Sequence, residues 1–183
     1  NGAALSTGTL GQGNSGNVKI TANGSLSVTN GAYLSTSTLG QGNAGRISVL
    51  ATDSIALDDS DISTAVQQGA IGNGQGINIT ARSLTLTNGA QLNAVTSGEG
   101  NAGDILINTS NSVSVSGTNT TAPSINLFNY TPPRFTSPPE FVDGVSSGIF
   151  TSTNSSGVGG KIEVNTSAFS VSDGGLIDTR TTT

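Results

Sequence analysis

A phrase that returns at a near-constant spacing constrains this chain more than anything else in it. Asn1-Gly2-Ala3-Ala4-Leu5-Ser6-Thr7 recurs as Asn30-Gly31-Ala32-Tyr33-Leu34-Ser35-Thr36 and as Asn88-Gly89-Ala90-Gln91-Leu92-Asn93-Ala94. Between them, Gly13-Asn14-Ser15-Gly16 recurs as Gly42-Asn43-Ala44-Gly45 and Gly100-Asn101-Ala102-Gly103. Self-similarity of this length marks a solenoid, in which each unit buries its apolar face only against its neighbours. Solenoids are first scaffolds and binding surfaces, and only sometimes enzymes.

Each unit holds three short segments in which apolar and polar residues alternate, bounded by Gly and Asn. That is a strand pattern, and no stretch has a helical period. The Leu5 position becomes Leu34, Ile62, Leu92, Ile149 and Ile177, at steps of 29, 28, 30, 57 and 28. The Val18/Ile20 pair becomes Ile47/Val49, Ile77/Ile79, Ile105/Ile107 and Ile162/Val164. The Leu26/Val28 pair becomes Ile55/Leu57, Leu84/Leu86, Val113/Val115 and Phe169/Val171. The residue between each pair is mostly polar, so one side chain points in and the next points out.

The expected fold is all-β, a parallel β-helix with three strands per turn and about 29 residues per turn. Turns fall at 1–29, 30–58, 59–87, 88–116 and 147–173, with a partial turn at 174–183. Thr7, Thr36, Thr64, Thr151 and Thr179 share one register, pointing inward like Leu5, and are expected to satisfy their hydroxyls along the stack. Asn-Gly and Asp173-Gly174 supply positive φ at one corner, and Gly-Asn-x-Gly makes another. Both ends open inside the repeat. The chain is therefore expected to be a piece of a longer solenoid, with open strand edges that self-associate.

The step of 57 marks an insert at 117–145 that holds all five prolines and four of the seven aromatics. Pro-Pro pairs cannot sit in a central strand, because they lack the donor that the ladder needs. The insert reads as a long loop that returns at Ser147-Gly148-Ile149, or as a degenerate turn with Ser124–Phe128 as its strand. Phe128, Tyr130, Arg134, Phe135, Glu140 and Phe141 are the candidate contacts for a glycan or a protein partner. Aromatic faces beside charges stack on sugar rings. The same aromatics can equally fold back onto the solenoid.

Composition narrows the chemistry. With no Cys, disulfides, thiol catalysis and Cys-ligated metal are excluded, and no cofactor is expected. A net charge of −5 with only six Lys and Arg leaves no basic face for nucleic acid. No apolar run approaches the roughly 20 residues that span a bilayer, so membrane insertion is not expected, and no targeting segment is visible.

Asp58, Asp59 and Asp61, with Asp53 nearby, form the one acidic cluster. Consecutive strand residues diverge, so solvated turn acids are expected there rather than a calcium site. Outward carboxyls do not recur in adjacent turns, and histidine is absent, so a catalytic residue is not expected. Rows such as Thr7-Gly8-Thr9 and Thr36-Ser37-Thr38 raise ice binding as a lesser alternative, but Ala94 and Val66 break the row.

Asn-Gly-Ala-x-Leu-Ser-Thr-x-Thr-Leu-Gly-Gln-Gly-Asn-x-Gly, at residues 1–16 and 30–45, resembles the repeats of filamentous-haemagglutinin-like exoproteins of cyanobacterial type. Ser147–Asn154 looks like a variant of the same repeat. The resemblance implies a right-handed β-helix, two-partner secretion through an outer-membrane partner, and a cell-surface or extracellular filament used in adhesion or matrix. The family's Asn-Pro-Asn secretion motif is absent here, and the resemblance carries no catalytic residues. The resulting expectation is a non-enzymatic, secreted, structural or adhesive rod. A carbohydrate-binding or carbohydrate-cleaving β-helix domain is the alternative.

Overall fold

In the computed structural model the described residues, 2–119 and 145–182, form an all-β solenoid of parallel strands. Three ladders run along it. The first stacks β1 (Ala4–Thr9), β4 (Tyr33–Thr38), β7 (Asp61–Val66), β9 (Gln91–Thr96), β13 (Gly148–Thr153) and β16 (Leu176–Thr181). The second stacks β2 (Val18–Ala22), β5 (Ile47–Ala51), the first halves of β8 (Ile77–Thr87) and β10 (Ile105–Ser116), and β14 (Ile162–Asn165). The third stacks β3 (Leu26–Thr29), β6 (Ser54–Asp58), the second halves of β8 and β10, and β15 (Ala168–Ser172). In the third and fourth turns the second and third strands therefore fuse into one, with a register shift at Thr109/Ser112 in β10. At about 4.8 Å per rung, the stack is roughly 25 Å long.

The registers match the repeat alignment residue for residue. Leu5 pairs with Leu34, Leu34 with Ile62, Ile62 with Leu92, Leu92 with Ile149 and Ile149 with Ile177. The 57-residue step thus spans a single rung, because β13 sits directly on β9. Beside that rung, β11 (Thr118–Asn119) and β12 (Val145–Ser146) pair antiparallel, so the chain leaves and re-enters the coil at one corner. The core is one continuous strip, with Ile47, Ile55, Leu57, Ile62, Ile77, Ile79, Leu84, Leu86, Leu92, Ile105, Ile107 and Ile149 fully buried.

The corners are built from aligned backbone conformations. Asn30, Asp59, Asn88, Gly117 and Asp173 occupy equivalent places before the first ladder, and all take left-handed φ between 46° and 82°. Asn, Asp and Gly tolerate that region, which explains why no other residue type occurs in this column. At the opposite corner Gly42, Gly72, Gly100 and Gly157 lie in register. A Cβ on each would fall on the carbonyl oxygen of Gly13, Gly42, Gly72 and Gly100 respectively. That corner also carries a short parallel ladder of its own, Gln12–Gln41–Ile71–Glu99.

The threonine column differs from expectation. Thr36, Thr64 and Thr151 are buried, but their hydroxyls do not bond along the stack. Thr7, Thr36 and Thr151 instead donate across the corner to the carbonyls of Gly16, Gly45 and Gly160, at 2.6, 2.6 and 2.7 Å. Hydroxyls elsewhere do bond between rungs, Ser25 to Ser54 at 2.8 Å and Thr109 to Thr166 at 2.7 Å, but in this column the corner brings a backbone carbonyl within reach and the hydroxyl takes it instead. In the third turn Gln75 occupies the glycine place and Gly76 turns to φ 82°, and the Thr64 hydroxyl has no partner.

Candidate functional site

Phe128, Tyr130, Arg134, Phe135, Glu140 and Phe141 lie outside the described residues. The surface that remains is dominated by stacked polar side chains. Asparagines form a ladder with a direction. The Asn14 side-chain carbonyl accepts from the Asn43 backbone N–H at 2.8 Å, Asn43 from Asn73 at 2.8 Å, Asn73 from Asn101 at 2.9 Å, and Asn101 from Val158 at 2.8 Å. Each asparagine thus ties its own turn to a backbone N–H of the next, on the solvent-exposed side of the corner. The recurrent Gly-Asn-x-Gly phrase signals this ladder at residues 14, 43 and 101. Asn73, in Gly72-Asn73-Gly74-Gln75, belongs to it without the phrase.

The acidic cluster does not converge. Asp58 accepts from the Thr87 hydroxyl at 3.1 Å and the Asn88 amide at 2.9 Å. Asp59 accepts from the Asn119 amide at 2.6 Å, while Asp61 begins β7 on the outer face of the first sheet. Asp53 pairs with Arg82 at 3.4 Å. Among the described residues, no group of three or more His, Cys, Asp or Glu is placed to hold a metal ion.

Asp61 is nevertheless unusual. The outward positions beside it, Ser63, Ala65 and Val95, are buried at 5, 5 and 6 % exposure. In the second turn, by contrast, the outward residues of β4 remain partly exposed. Burial pushes the Asp61 carboxyl up from 3.8 to about 7, with Asp59 adding to the rise and the Gln91 backbone opposing it. Sequence alternation alone places these residues outward and in water, and so gives no sign of a dry patch.

The sign of the pH effect follows. The folded state holds this proton more tightly than the unfolded chain, so Asp61 costs nothing below about pH 4 and costs progressively more as pH rises to 7. At about 1.36 kcal/mol per unit the ceiling is about 4 kcal/mol. About half of that is expected, because the residue keeps some contact with water. Asp61→Asn should therefore raise the denaturation midpoint at pH 8 and leave it unchanged at pH 4. An equal shift at both values would count against this account.

One other hollow stands out. A shallow notch of about 400 Å³ lies beside the column Asn17–Arg46–Gly76–Asp104–Lys161. Arg46, Asn78, Asp104, Lys161 and Glu163 border it. The Arg46 side chain bonds the Gln75 carbonyl at 3.2 Å, and Lys161 pairs with Glu163, so its charges are largely engaged.

The first sheet assembles neither a carboxyl pair nor a threonine face. Asp61 and Asp178 are the outward carboxyls of the first sheet, separated by three rungs, β7 to β16. That is about 14 Å along the axis, against the roughly 5–9.5 Å that glycoside hydrolysis uses. The Thr-x-Thr rows face the core, since Thr36, Thr38, Thr64, Thr96, Thr151 and Thr153 are all at 0 % exposure. They present no flat face to ice. No helix among the described residues is long and apolar enough to cross a membrane. No protein-family model, curated protein or solved structure matches this chain.

Proposed function

We propose that this chain is a non-enzymatic structural rod, a segment of a secreted bacterial adhesin or matrix filament of the filamentous-haemagglutinin-like type. The observation that carries the reading is the continuity of the three parallel ladders around one apolar strip. Every strand interior to the stack is hydrogen-bonded on both sides. Pulling or proteolysis must then break whole rungs rather than single contacts. The repeat phrase supports export by two-partner secretion, and a cell-surface or extracellular location follows from that route. Contact with glycans or surface proteins is assigned to Phe128, Tyr130, Arg134, Phe135, Glu140 and Phe141.

The test is adhesion. Beads coated with the protein are scored against a panel of bacterial polysaccharides and whole cells. The same assay is run with residues 120–144 replaced by a Gly-Ser linker. Binding that disappears with the linker, while the β-sheet circular dichroism is kept, supports the reading. Release of reducing ends or unsaturated sugars from any polysaccharide overturns it in favour of a carbohydrate-cleaving domain. Equal adhesion by both proteins moves the contact onto the solenoid wall.

A further inference from the structure

One peptide at the corner between the first and second ladders is turned the opposite way from its equivalents. In the second turn the Gly45–Arg46 peptide directs its carbonyl inward, where it accepts from the Thr36 hydroxyl at 2.6 Å. Its N–H points outward and donates to the Asn17 side chain of the preceding turn at 2.7 Å. In the fifth turn the Gly160–Lys161 peptide does the same, with the Thr151 hydroxyl at 2.7 Å on one side and the Asp104 carboxylate at 2.7 Å on the other. In the third turn the Gln75–Gly76 peptide is reversed. Its carbonyl accepts from Arg46 Nε at 3.2 Å, Gly76 takes φ 82°, and the buried Thr64 hydroxyl has no partner. The ladder bonds on either side are kept, Ile47 N–H to the Gly76 carbonyl at 3.1 Å and Ile77 N–H to the Asp104 carbonyl at 2.9 Å. The reversal is therefore confined to a single peptide.

The residue one rung back in the column accounts for it. Asn17 and Asp104 offer an acceptor oxygen, which holds the next N–H outward. Arg46 has donors and no acceptor, so it holds the next carbonyl outward instead. A trans peptide is planar, with its carbonyl and N–H on opposite sides, so a carbonyl drawn out to Arg46 is lost to Thr64. Glycine takes the positive φ that reversal needs at little steric cost. The equivalents of Gly76, which are Asn17, Arg46, Asp104 and Lys161, do not lie in that region. The Gly103–Asp104 peptide of the fourth turn lacks both partners, since Gly76 gives it no side chain and Ala94 gives it no hydroxyl.

We propose that this corner is a two-state peptide switch set by the side chain one turn earlier, and that Arg46 holds the Gln75–Gly76 peptide in the reversed state. The released state is the one that the second and fifth turns display, with the Gln75 carbonyl on Thr64 and the Gly76 N–H outward. Release satisfies the Thr64 hydroxyl and changes the wall beside the notch from an acceptor to a donor, while the ladders stay as they are. The switch does not depend on the rod reading.

Urea denaturation of a double-mutant cycle between Arg46 and Thr64 tests it. In the native protein Thr64→Val removes a hydroxyl that bonds nothing, so the folding constant should hold or rise, whereas Thr36→Val should lower it about fivefold. In the Arg46→Asp protein the introduced carboxylate accepts the Gly76 N–H, as Asp104 accepts that of Lys161. Thr64→Val should then lower the folding constant about fivefold as well. Arg46→Lys keeps a donor and should leave Thr64→Val without cost. Gly76→Ala gives a second measurement. In the reversed state its Cβ would lie 2.1 Å from the Asp104 carbonyl oxygen at a strained φ, so it should destabilise the native protein strongly, and much less when combined with Arg46→Asp. An equal effect of Thr64→Val in the native and Arg46→Asp backgrounds overturns the proposal. So does a crystal structure of the Arg46→Asp protein in which Gly76 keeps its positive φ.

Discussion

Gly72→Ala should cost the solenoid at least about 3 kcal/mol and lower its thermal midpoint steeply, although it adds one methyl group to a corner. The methyl has nowhere to go. It would coincide with the Gly42 carbonyl oxygen of the preceding turn, and that oxygen belongs to backbone rather than to a flexible side chain. Gly72 does not have left-handed φ, so the substitution reports close approach alone. Gly42→Ala adds backbone strain to the same clash, because Gly42 has φ 143°. Gly24→Ala is the control. Nothing lies within 4 Å of its Cβ position, and the change should fall within about 0.5 kcal/mol of wild type. Urea denaturation of the three variants separates these outcomes. Similar midpoints for Gly72→Ala and Gly24→Ala would remove the glycine ladder from the account.

The second large effect is expected from the apolar strip. Ile79 is fully buried, stacked between Val49 and Ile107. Ile79→Asp places a carboxyl there with no partner of opposite charge, so it must either ionise in an apolar surround or take up a proton. A loss above about 4 kcal/mol is expected, enough to unfold a marginally stable domain at neutral pH. Part of the loss should be recovered near pH 4, where the introduced carboxyl is neutral. The neighbouring Asn78→Asp, on the outward side of the same strand, should be close to neutral. Circular dichroism at pH 4 and pH 8 gives the comparison. An Ile79→Asp protein that melts with wild type would refute the ladder assignment.

Ile79 was legible in the linear sequence, because a period of two with apolar residues at equivalent places in each unit leaves a strand no other way to bury them. The parallel solenoid and its period of about 29 residues followed from the same pattern. The left-handed corner was legible as well, through Asn30, Asn88 and Asp173. Asp59 was not, since the turn it sits in is one residue shorter and has no Asn-Gly dipeptide. The candidate glycan contacts of the insert came from residue type alone, and they lie outside the described residues.

Local chemistry in the sequence therefore settled which residues turn, which alternate and which face inward, since these depend on a residue and its near neighbours. Only the stacked structure decided what depends on distance between turns. The Gly72 corner has no room for a methyl, because a carbonyl 30 residues earlier in the chain already fills it. Thr36 bonds a carbonyl of its own turn, and Thr64 bonds nothing, because the corner rather than the ladder sets their reach. Asp61 lies on a dry patch of an outer face that alternation alone would leave wet. Position along a strand is a property of sequence, but proximity and exclusion of water exist only once the rungs are stacked.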